Sequence, residues 1–418
     1  MNILIVKLSA IGDVIHTLPS LSALRRCYPD AEISWVVEEA AADLLVDHPD
    51  LDRVLISRRK TWLKELRQGR IAAPFREMRS FLRELRSRRY DLVIDFHGLL
   101  KSAVIVLLSG GKRKLGYDSL QEGSGLFYNE KIPEDMEKHA VDRYLDLVRH
   151  AASHSCPLTS RQAAGNGLAD EFRIAIGEKE KRRVAALLDE NSVILTTGEK
   201  GAEGREKGSG GGSREGGHCR FVAVNPVAFW ETKLWEDEKF AELCDRIRTE
   251  LGIGVVLTGG EAGPLDRIRG RMKTAAVNLG GQTTLRELAC LYRQAALVVT
   301  TDSGPMHLAA AVGTPVVALF GPTDPARTGP YGPGHRVIRR ELSCSPCLRK
   351  RCETRTCMRE IGVGEVFEAV REDQAIKGVM DGNQQGTVGD IGLPAVQGGG
   401  SADADGGRSH LRPVPAAL

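Results

Sequence analysis

One stretch constrains the fold more than any other. The run Val298-Val-Thr-Thr-Asp-Ser-Gly-Pro-Met-His-Leu-Ala-Ala-Ala-Val-Gly-Thr-Pro-Val-Val-Ala-Leu-Phe320 has the pattern of a strand, a polar turn, a helix and a second strand. The turn, Asp302-Ser-Gly304, lies where open α/β sheets bind ligands, and His307 follows one turn into the helix. The free N–H groups of a helix N-terminus favour an anion such as a phosphate. An ordinary helix cap would explain the same residues, so the turn alone leaves both interpretations open.

Strand and helix patterns alternate along most of the chain, which indicates a doubly wound parallel sheet. The pattern restarts after residue 220, so we expect an α/β protein with two facing Rossmann-like domains and a cleft between them. We place the domains at residues 1–180 and 181–372. The predicted strands are Asn2–Lys7, Ile33–Val37, Val54–Ser57, Leu92–Phe96, Phe221–Asn225, Gly254–Thr258, Ala276–Leu279, Leu297–Thr301 and Val316–Phe320.

Two segments are set apart by their composition. The Gly-rich stretch at 198–218 is predicted to be a flexible insertion, and residues 373–418 a disordered tail.

Composition excludes several classes of protein. Among 418 residues the net charge is only +3, and no motif for nucleic-acid binding is present, so nucleic acid is not expected as a partner. The sequence contains no apolar run near the roughly 20 residues of a membrane span, and the start lacks a signal-peptide pattern. We therefore expect a cytoplasmic protein whose nine cysteines are reduced.

Three residues after predicted strands are candidates for chemistry. Asp13 follows Gly12 in the first strand-to-helix turn, which Ser9 opens, and its carboxylate could act as a general base or merely complement the helix dipole. Lys233 comes shortly after the strand Phe221–Asn225, so its ammonium could bind a diphosphate or be an ordinary surface lysine. Glu261 follows a Gly-Gly turn and could bind a ribose hydroxyl, although such a turn is weak evidence.

The segment from Arg58 to Arg89 is strongly basic. It holds twelve arginines and lysines against three glutamates, with apolar residues interleaved in an amphipathic pattern. Charged runs are usually solvated faces, but one this one-sided attracts an anionic partner. The candidates are a phosphorylated or carboxylated acceptor and an anionic lipid surface.

A cluster of cysteines lies near the C-terminal end of the predicted second domain. Its spacing would permit a zinc site or an iron–sulfur cluster, and simple loop cysteines are the alternative. The four residues are Cys344, Cys347, Cys352 and Cys357.

Several motifs together resemble a known family. The opening Val6-Lys-Leu-Ser-Ala-Ile-Gly-Asp-Val-Ile-His-Thr-Leu-Pro19 is similar to that of the ADP-heptose:lipopolysaccharide heptosyltransferases, glycosyltransferase family 9. Thr301-Asp-Ser-Gly-Pro-Met-His-Leu308 and Phe320-Gly-Pro-Thr-Asp-Pro325 resemble that family's nucleotide-side motif. Val93-Ile-Asp-Phe-His-Gly-Leu-Leu-Lys-Ser102 and the Lys-Leu-Ser opening are most like heptosyltransferase I. The similarity extends over roughly residues 1–372 apart from the insertion.

The resemblance implies a GT-B fold and an inverting transfer without a metal or cofactor. The donor would be ADP-L-glycero-β-D-manno-heptose, bound by the C-terminal domain. The acceptor, bound by the N-terminal domain, would be the Kdo (3-deoxy-D-manno-octulosonic acid) of Kdo2-lipid A, which the enzyme would reach as a peripheral protein on the cytoplasmic face of the inner membrane.

The resemblance also implies roles for individual residues. Asp13 would be the general base, and Lys233 would stabilise the leaving diphosphate. The expected donor-binding residues are Ser9, Gly12, Glu261, Asp302, Ser303, Gly304 and His307. The expected acceptor-binding residues are Arg58, Arg59, Lys60, Lys64, His97 and Lys101.

Two alternative functions remain open from the sequence. The first is transfer of a later core heptose or another sugar. It is favoured by the cysteine segment, which resembles heptosyltransferase II. Val227-Ala-Phe-Trp230 replaces two threonines typical of enterobacterial heptosyltransferase I, so the resemblance does not supply their hydroxyl contacts with the donor. The second is a non-catalytic nucleotide-sugar-binding protein. The presence of Asp13 together with Lys233 and Asp302 argues against it, because a binding protein needs no base.

Overall fold

The computed structural model describes residues 1–118, 121–153, 172–191 and 221–384. Its strands form two six-stranded sheets, one in each half of the chain. The first sheet contains β1 (Asn2–Val6), β2 (Glu32–Glu38), β3 (Arg53–Ser57), β4 (Leu92–Asp95), β5 (Arg113–Tyr117) and β6 (Glu130–Ile132). The second contains β7 (Phe221–Asn225), β8 (Gly254–Leu257), β9 (Val277–Asn278), β10 (Leu297–Thr301), β11 (Val316–Phe320) and β12 (Arg336–Arg339).

Helices connect the strands in both halves. In the first half they are α1 (Ile11–Cys27), α2 (Glu39–Ala42), α3 (Arg59–Arg67), α4 (Ala72–Leu85), α5 (Leu100–Ser109), α6 (Ala140–Ala152) and α7 (Glu178–Glu190). In the second they are α8 (Asp237–Glu250), α9 (Ala262–Arg269), α10 (Leu285–Gln294), α11 (Gly304–Ala311), α12 (Pro325–Thr328), α13 (Thr356–Arg359), α14 (Val363–Arg371) and α15 (Gln374–Gln384). Short 3₁₀ segments occupy Gln121–Phe127 and Glu231–Lys233.

The two sheets have the same topology. Their strand orders are β3-β2-β1-β4-β5-β6 and β12-β11-β10-β7-β8-β9, and the second is the first read from its other edge. Every neighbouring pair is parallel. This is the Rossmann order. The first three strands follow one another toward one edge of the sheet, and the fourth returns to lie beside the first and continues toward the other edge. The switch points therefore lie between β1 and β4 and between β7 and β10, which confirms the predicted α/β class.

The inner strands form because their residues are apolar on both faces. Ile3, Leu4 and Ile5 of β1, like Val298 and Val299 of β10, have no exposed surface. A strand covered by helices on both faces favours such continuous apolar runs. The sequence did not predict β5, β6 and β12, each of which contains two charged residues that interrupt the apolar pattern. β6 and β12 are edge strands, where charged side chains reach water and discourage pairing with another chain.

The two halves pack against each other. A single apolar cluster contains residues of α1 and α6 from the first half and of α10 and α11 from the second. Polar contacts add to it, since the Arg286 backbone N–H donates to Asp43 at 2.9 Å and its side chain lies 3.3 Å from Glu180. The carboxyl edges of the sheets are thereby held close enough to share one site.

Several predicted segments fall partly outside the described residues. The Gly-rich insertion at 198–218 lies entirely outside them. The domain boundary expected at 180/181 falls within helix α7, and it stays a prediction. Helix α15 occupies the first part of the predicted tail, where Ile376 and Val379 are buried. The basic segment forms α3 and α4. Within the described ranges, no helix combines the length and apolarity needed to cross a bilayer.

Candidate active site

The site lies where the N-termini of α1 and α11 meet. A Cβ atom added to Gly12 would stand 2.4 Å from Cδ2 of His307, and one added to Gly304 would stand 3.2 Å from Cβ of Ile11. At position 12 any larger residue would force the two helices or the His307 ring to shift, whereas the fit at position 304 is tight. His16, on the same face of α1, shares a hydrogen bond of 2.9 Å between its Nε2 and Nδ1 of His307. The turns after β1 and β10 therefore face each other across the junction.

Asp13 occupies the third position of α1 and is half-buried. Its Oδ2 accepts a hydrogen bond of 3.1 Å from the backbone N–H of Ala10, so it caps the helix as the structural interpretation predicted. A carboxylate has further lone pairs available, and a cap does not exclude a second role. Asp13 lies at the switch point of the first sheet, and its role as the base stays a prediction.

A buried lysine stands near Asp13. Nζ of Lys7 donates to the carbonyl oxygen of Phe96 at 2.9 Å and to the hydroxyl of Tyr144 at 2.6 Å. Burial lowers the pKa of Lys7, and the negative charges of Asp13 and Asp95 partly oppose that effect. Lys7 and Asp13 therefore lie within electrostatic range of each other at the switch point of the first sheet.

Three side chains meet at the end of β10. Oδ2 of Asp302 lies 2.6 Å from Nζ of Lys233 and accepts a hydrogen bond of 2.5 Å from the hydroxyl of Thr323. The ion pair is largely hidden, with the Lys233 and Asp302 side chains 16% and 5% exposed. The structure thus brings Lys233 and Asp302 together, although 69 positions separate them in sequence.

The loop that carries Lys233 is held by the cysteine segment. Nζ of Lys233 lies 4.7 Å from the ring centre of Trp230, and the hydroxyl of Thr232 donates to the carbonyl oxygen of Arg349 at 2.7 Å. Arg349 belongs to the stretch with the four cysteines, which are free thiols. In the described part of the chain, no three His, Cys, Asp or Glu side chains are arranged so that they could hold a metal ion.

Two donor-side candidates, Ser9 and Gly12, lie where β1 leads into α1 of the first half, whereas the others line the same edge of the second sheet as Asp302. Ser303 is the N-cap of α11 and Gly304 its first residue. Glu261 is the exposed N-cap of α9, which follows β8. Because β7 lies between β8 and β10, the ends of β8 and β10 are about 10 Å apart at the usual spacing of neighbouring strands. An extended ligand, rather than a single small anion, is needed to reach both Glu261 and Asp302.

His307 lies within electrostatic range of both halves of the site. Burial lowers its pKa to about 4, and the carboxylates of Asp302 and Asp13 partly counteract this, while Lys233 adds to it. Burial also lowers the pKa of its partner His16 well below the usual value. Both rings are therefore neutral near pH 7, so one donates and the other accepts in the bond between the helices.

Basic side chains gather at the carboxyl edge of the first sheet. Arg59 and Lys60, at the start of α3, lie 3.1 and 3.3 Å from the buried carboxylate of Glu38. Nζ of Lys101 donates to the hydroxyl of Ser9 at 3.2 Å, and burial lowers the pKa of Lys101 while Glu38 raises it. Three cations thus share one carboxylate, and the group keeps a positive excess that suits an anionic ligand.

The other acceptor-side candidates are placed differently. The ring of His97 borders the same group, and burial, together with Lys7 and Lys101, lowers its pKa to about 2. Arg58 instead pairs with Glu39 at 2.7 Å and Glu77 at 3.4 Å. Lys64 is exposed further along α3. Arg58 and Lys64 therefore do not join the group around Glu38.

Sequence reasoning missed Lys7, His16 and Thr323. Lys7 and Thr323 belong to the motifs Val6–Pro19 and Phe320–Pro325. A lysine directly after a buried strand is itself a signal of a functional residue, because lysines are seldom buried without a partner. His16 lies three residues after Asp13 and so on the same face of the helix. That it bonds to His307 could not be inferred from one sequence, because the contact spans 291 residues.

Two facing Rossmann-like halves with a shared site at their carboxyl edges define the GT-B class of glycosyltransferase. A family model described as glycosyltransferase family 9 (heptosyltransferase) matches residues 78–357. The chain belongs to glycosyltransferase family 9, as the sequence motifs predicted, and is an enzyme that transfers a sugar.

Individual relatives agree with this assignment. The chain is 31% identical over 357 residues to lipopolysaccharide heptosyltransferase 1 of Pseudomonas aeruginosa, an alignment that covers 84% of this chain and 87% of that protein. A family 9 glycosyl transferase from Veillonella parvula shares the fold with a TM-score of 0.69 at 20% identity, covering 90% and 97% of the two chains. The structure of the Escherichia coli heptosyltransferase WaaC with ADP-2-deoxy-2-fluoro heptose matches with a TM-score of 0.63 at 25% identity, and the match covers 92% of this chain and 100% of that one.

Proposed function

We propose that this enzyme transfers L-glycero-D-manno-heptose from ADP-L-glycero-β-D-manno-heptose to the Kdo of Kdo2-lipid A, with inversion at the anomeric carbon. The observation that carries the proposal is the close approach of the Asp13 turn to His307, whose ring lies within electrostatic range of Asp13 and of the Lys233–Asp302 pair. The P. aeruginosa relative is called lipopolysaccharide heptosyltransferase 1, and the E. coli structure has an ADP-heptose analogue. Both names support this choice of substrates.

The donor would lie along the carboxyl edge of the second sheet. Glu261 would accept hydrogen bonds from the ribose, and the diphosphate would lie against the N-terminus of α11. Lys233 would leave Asp302 for the diphosphate, because a phosphate oxygen offers the ammonium an equally strong partner. Asp302 would then be free to accept hydrogen bonds from hydroxyls of the heptose.

The acceptor would lie at the edge of the first sheet. Its carboxylate would meet the positive excess of Arg59, Lys60 and Lys101 around Glu38. Asp13 would take the proton of the attacking hydroxyl as that oxygen forms its bond to the anomeric carbon. The bond from the anomeric carbon to the diphosphate would break at the same time, and Lys233 would stabilise the charge that develops on ADP.

A transfer assay tests the proposal. Release of ADP from ADP-heptose is measured with Kdo2-lipid A and, separately, with an acceptor that already carries the first heptose. We expect release of ADP with Kdo2-lipid A as the acceptor and none with the acceptor that already carries the first heptose. Turnover only with the heptosylated acceptor would instead support the addition of a later core heptose, and turnover with neither would contradict both.

The role of Asp13 is tested by Asp13→Ala. Loss of a general base should lower the transfer rate roughly 10²–10⁴-fold. The affinity for ADP should stay nearly unchanged, because ADP would bind to the other half. Asp30→Asn is the control, since this aspartate is exposed beyond the far end of α1. An Asp13→Ala variant that retains the wild-type transfer rate would exclude Asp13 as the base.

A further inference from the structure

Helix α5 presents an apolar stripe to solvent. Leu100, Val104 and Leu107 recur at helical spacing on one face and are 44%, 41% and 50% exposed, while Ala103 and Val106 on the other face are buried. Leu126, 79% exposed, lies on the adjoining 3₁₀ segment. That segment is attached to the start of α5, because the Leu100 N–H donates to Glu122 at 3.1 Å. Contiguous exposed apolar side chains of this size usually mark a contact surface.

The stripe is continuous with the acceptor side of the site. A groove of about 600 Å³ beside α5 is lined by Arg59, Leu99, Leu100, Lys101, Val104 and Glu122. Arg59 and Lys101 belong to the basic group around Glu38, whereas Leu100 and Val104 belong to the stripe. One wall of the groove therefore leads from the exposed stripe to the acceptor-binding cations.

Helix α4 adds positive charge on the same side of the sheet. It packs beside α5, and Nε of Arg86 at its end donates to the carbonyl oxygen of Leu108 at 2.9 Å. Its exposed face carries Phe75 with three arginines. Among the described residues, no carboxylate lies within salt-bridge distance of their guanidinium groups. The three are Arg76, Arg79 and Arg83.

We propose that the α5 stripe and the exposed face of α4 form a docking surface for an anionic lipid bilayer. Leucine, valine and phenylalanine side chains at the boundary between headgroups and acyl chains, flanked by arginines, have the composition of an interfacial anchor. The unpaired arginines favour anionic headgroups over a neutral surface. If the acceptor is the lipid-anchored sugar of the proposed function, the groove beside α5 admits its headgroup directly from the bilayer.

Vesicle flotation with the full chain tests the surface. The probes are vesicles of phosphatidylethanolamine and phosphatidylglycerol in a 7:3 ratio, and vesicles of phosphatidylcholine. We expect at least tenfold tighter binding to the anionic vesicles, and weaker binding as salt is raised. The double variant Val104→Glu/Leu107→Glu should bind them at least tenfold more weakly. The matched control Val337→Glu, at a position 39% exposed on β12 of the other half, should bind like wild type.

A second variant separates charge from apolar contact. Arg76→Gln/Arg79→Gln/Arg83→Gln should reduce the preference for anionic vesicles and flatten the salt dependence. Thermal melts confirm that each variant is folded. Equal binding of wild type to both lipids, or unchanged binding by the Val104/Leu107 variant, would overturn the proposal. A wild-type dimer that this variant dissociates would also overturn it, because the stripe would then be a protein interface.

The outcome is independent of catalysis. Vesicle binding requires neither donor nor transfer, so it can fail while the enzyme remains active on a soluble, deacylated acceptor. The single variant Leu107→Glu, at a position outside the groove lining, should retain wild-type kcat on that soluble acceptor and lose rate only on acceptor embedded in vesicles. Loss of rate on both substrates would place Leu107 in the site instead of on a membrane surface.

Discussion

The ion pair between Lys233 and Asp302 makes a quantitative prediction. Its charged atoms are 2.6 Å apart and the side chains are mostly hidden from water. Changing Lys233→Met leaves the Asp302 carboxylate with the Thr323 hydroxyl as its remaining described side-chain partner. Changing Asp302→Asn leaves the ammonium beside the Trp230 ring. Each single change therefore leaves a nearly buried charge without its counterion.

The size of the effect follows from the burial. Removing one partner of a buried pair costs about 3–5 kcal/mol. Because Lys233 keeps 16% exposure and can be partly hydrated, we expect the lower end, about 3 kcal/mol, for each single variant. At about 2–4 °C per kcal/mol for domains of this size, the melting temperature should fall by roughly 6–12 °C. The double variant removes both charges and should lose much less than the sum.

The assay is a double-mutant cycle by thermal and denaturant unfolding. We expect a coupling energy of about 2 kcal/mol or more between the two positions. Transfer should not recover in the double variant, because the cation that stabilises ADP is still missing. ADP should stabilise wild type more than Lys233→Met. Additive losses in the two single variants would refute the reasoning, since they would mean that the pair is not coupled in the unliganded protein.

Three further predictions concern neighbouring residues. Thr323→Val removes the hydroxyl that orients Asp302 and should lower kcat/KM for the donor at least tenfold. The reason is that a lost hydrogen bond to a charged group costs about 1.5–3 kcal/mol. Unchanged kinetics would contradict this prediction. Gly12→Ala places a methyl group against the His307 ring and should lower kcat/KM at least tenfold without loss of helix by circular dichroism. The pKa of His307 is lowered to about 4 from 6.5, so the unfolded chain binds a proton at a higher pH than the folded protein does. The free energy of unfolding should therefore fall by up to about 3 kcal/mol between pH 6.5 and pH 4. His307→Asn should flatten this dependence in unfolding titrations.

The sequence predicted the fold best where one property decided the structure. Inner strands such as β1 and β10 are apolar on both faces, and no other element explains such short runs. β5, β6 and β12 could not be found in this way, because pairing with a neighbouring strand, which is a tertiary property, makes them strands. The 3₁₀ segment with Lys233 likewise has no periodic pattern.

The site was predictable in its parts but not in its contacts. Asp13 and Asp302 were found because the ends of parallel strands are where α/β sheets bind ligands. The Lys233–Asp302 pair, the Thr323 hydroxyl and the His16–His307 bond join segments that are distant in sequence. Charge composition also misled in one respect, since Arg58 belongs to the basic run but is neutralised by Glu39 and Glu77.

The narrow junction between α1 and α11 bears on how such enzymes can diversify. The donor-side candidates at the ends of β8 and β10 all belong to the second sheet, and the basic group around Glu38 belongs entirely to the first. Near the site, the halves meet at Gly12 and Gly304 and through the His16–His307 bond, and the His139 ring adds a hydrogen bond of 3.1 Å to the carbonyl oxygen of Gly329. An exchange of the acceptor half that retains the nucleotide-sugar half must therefore preserve a glycine at position 12 and the histidines at positions 16 and 139, because these residues contact the half that is retained.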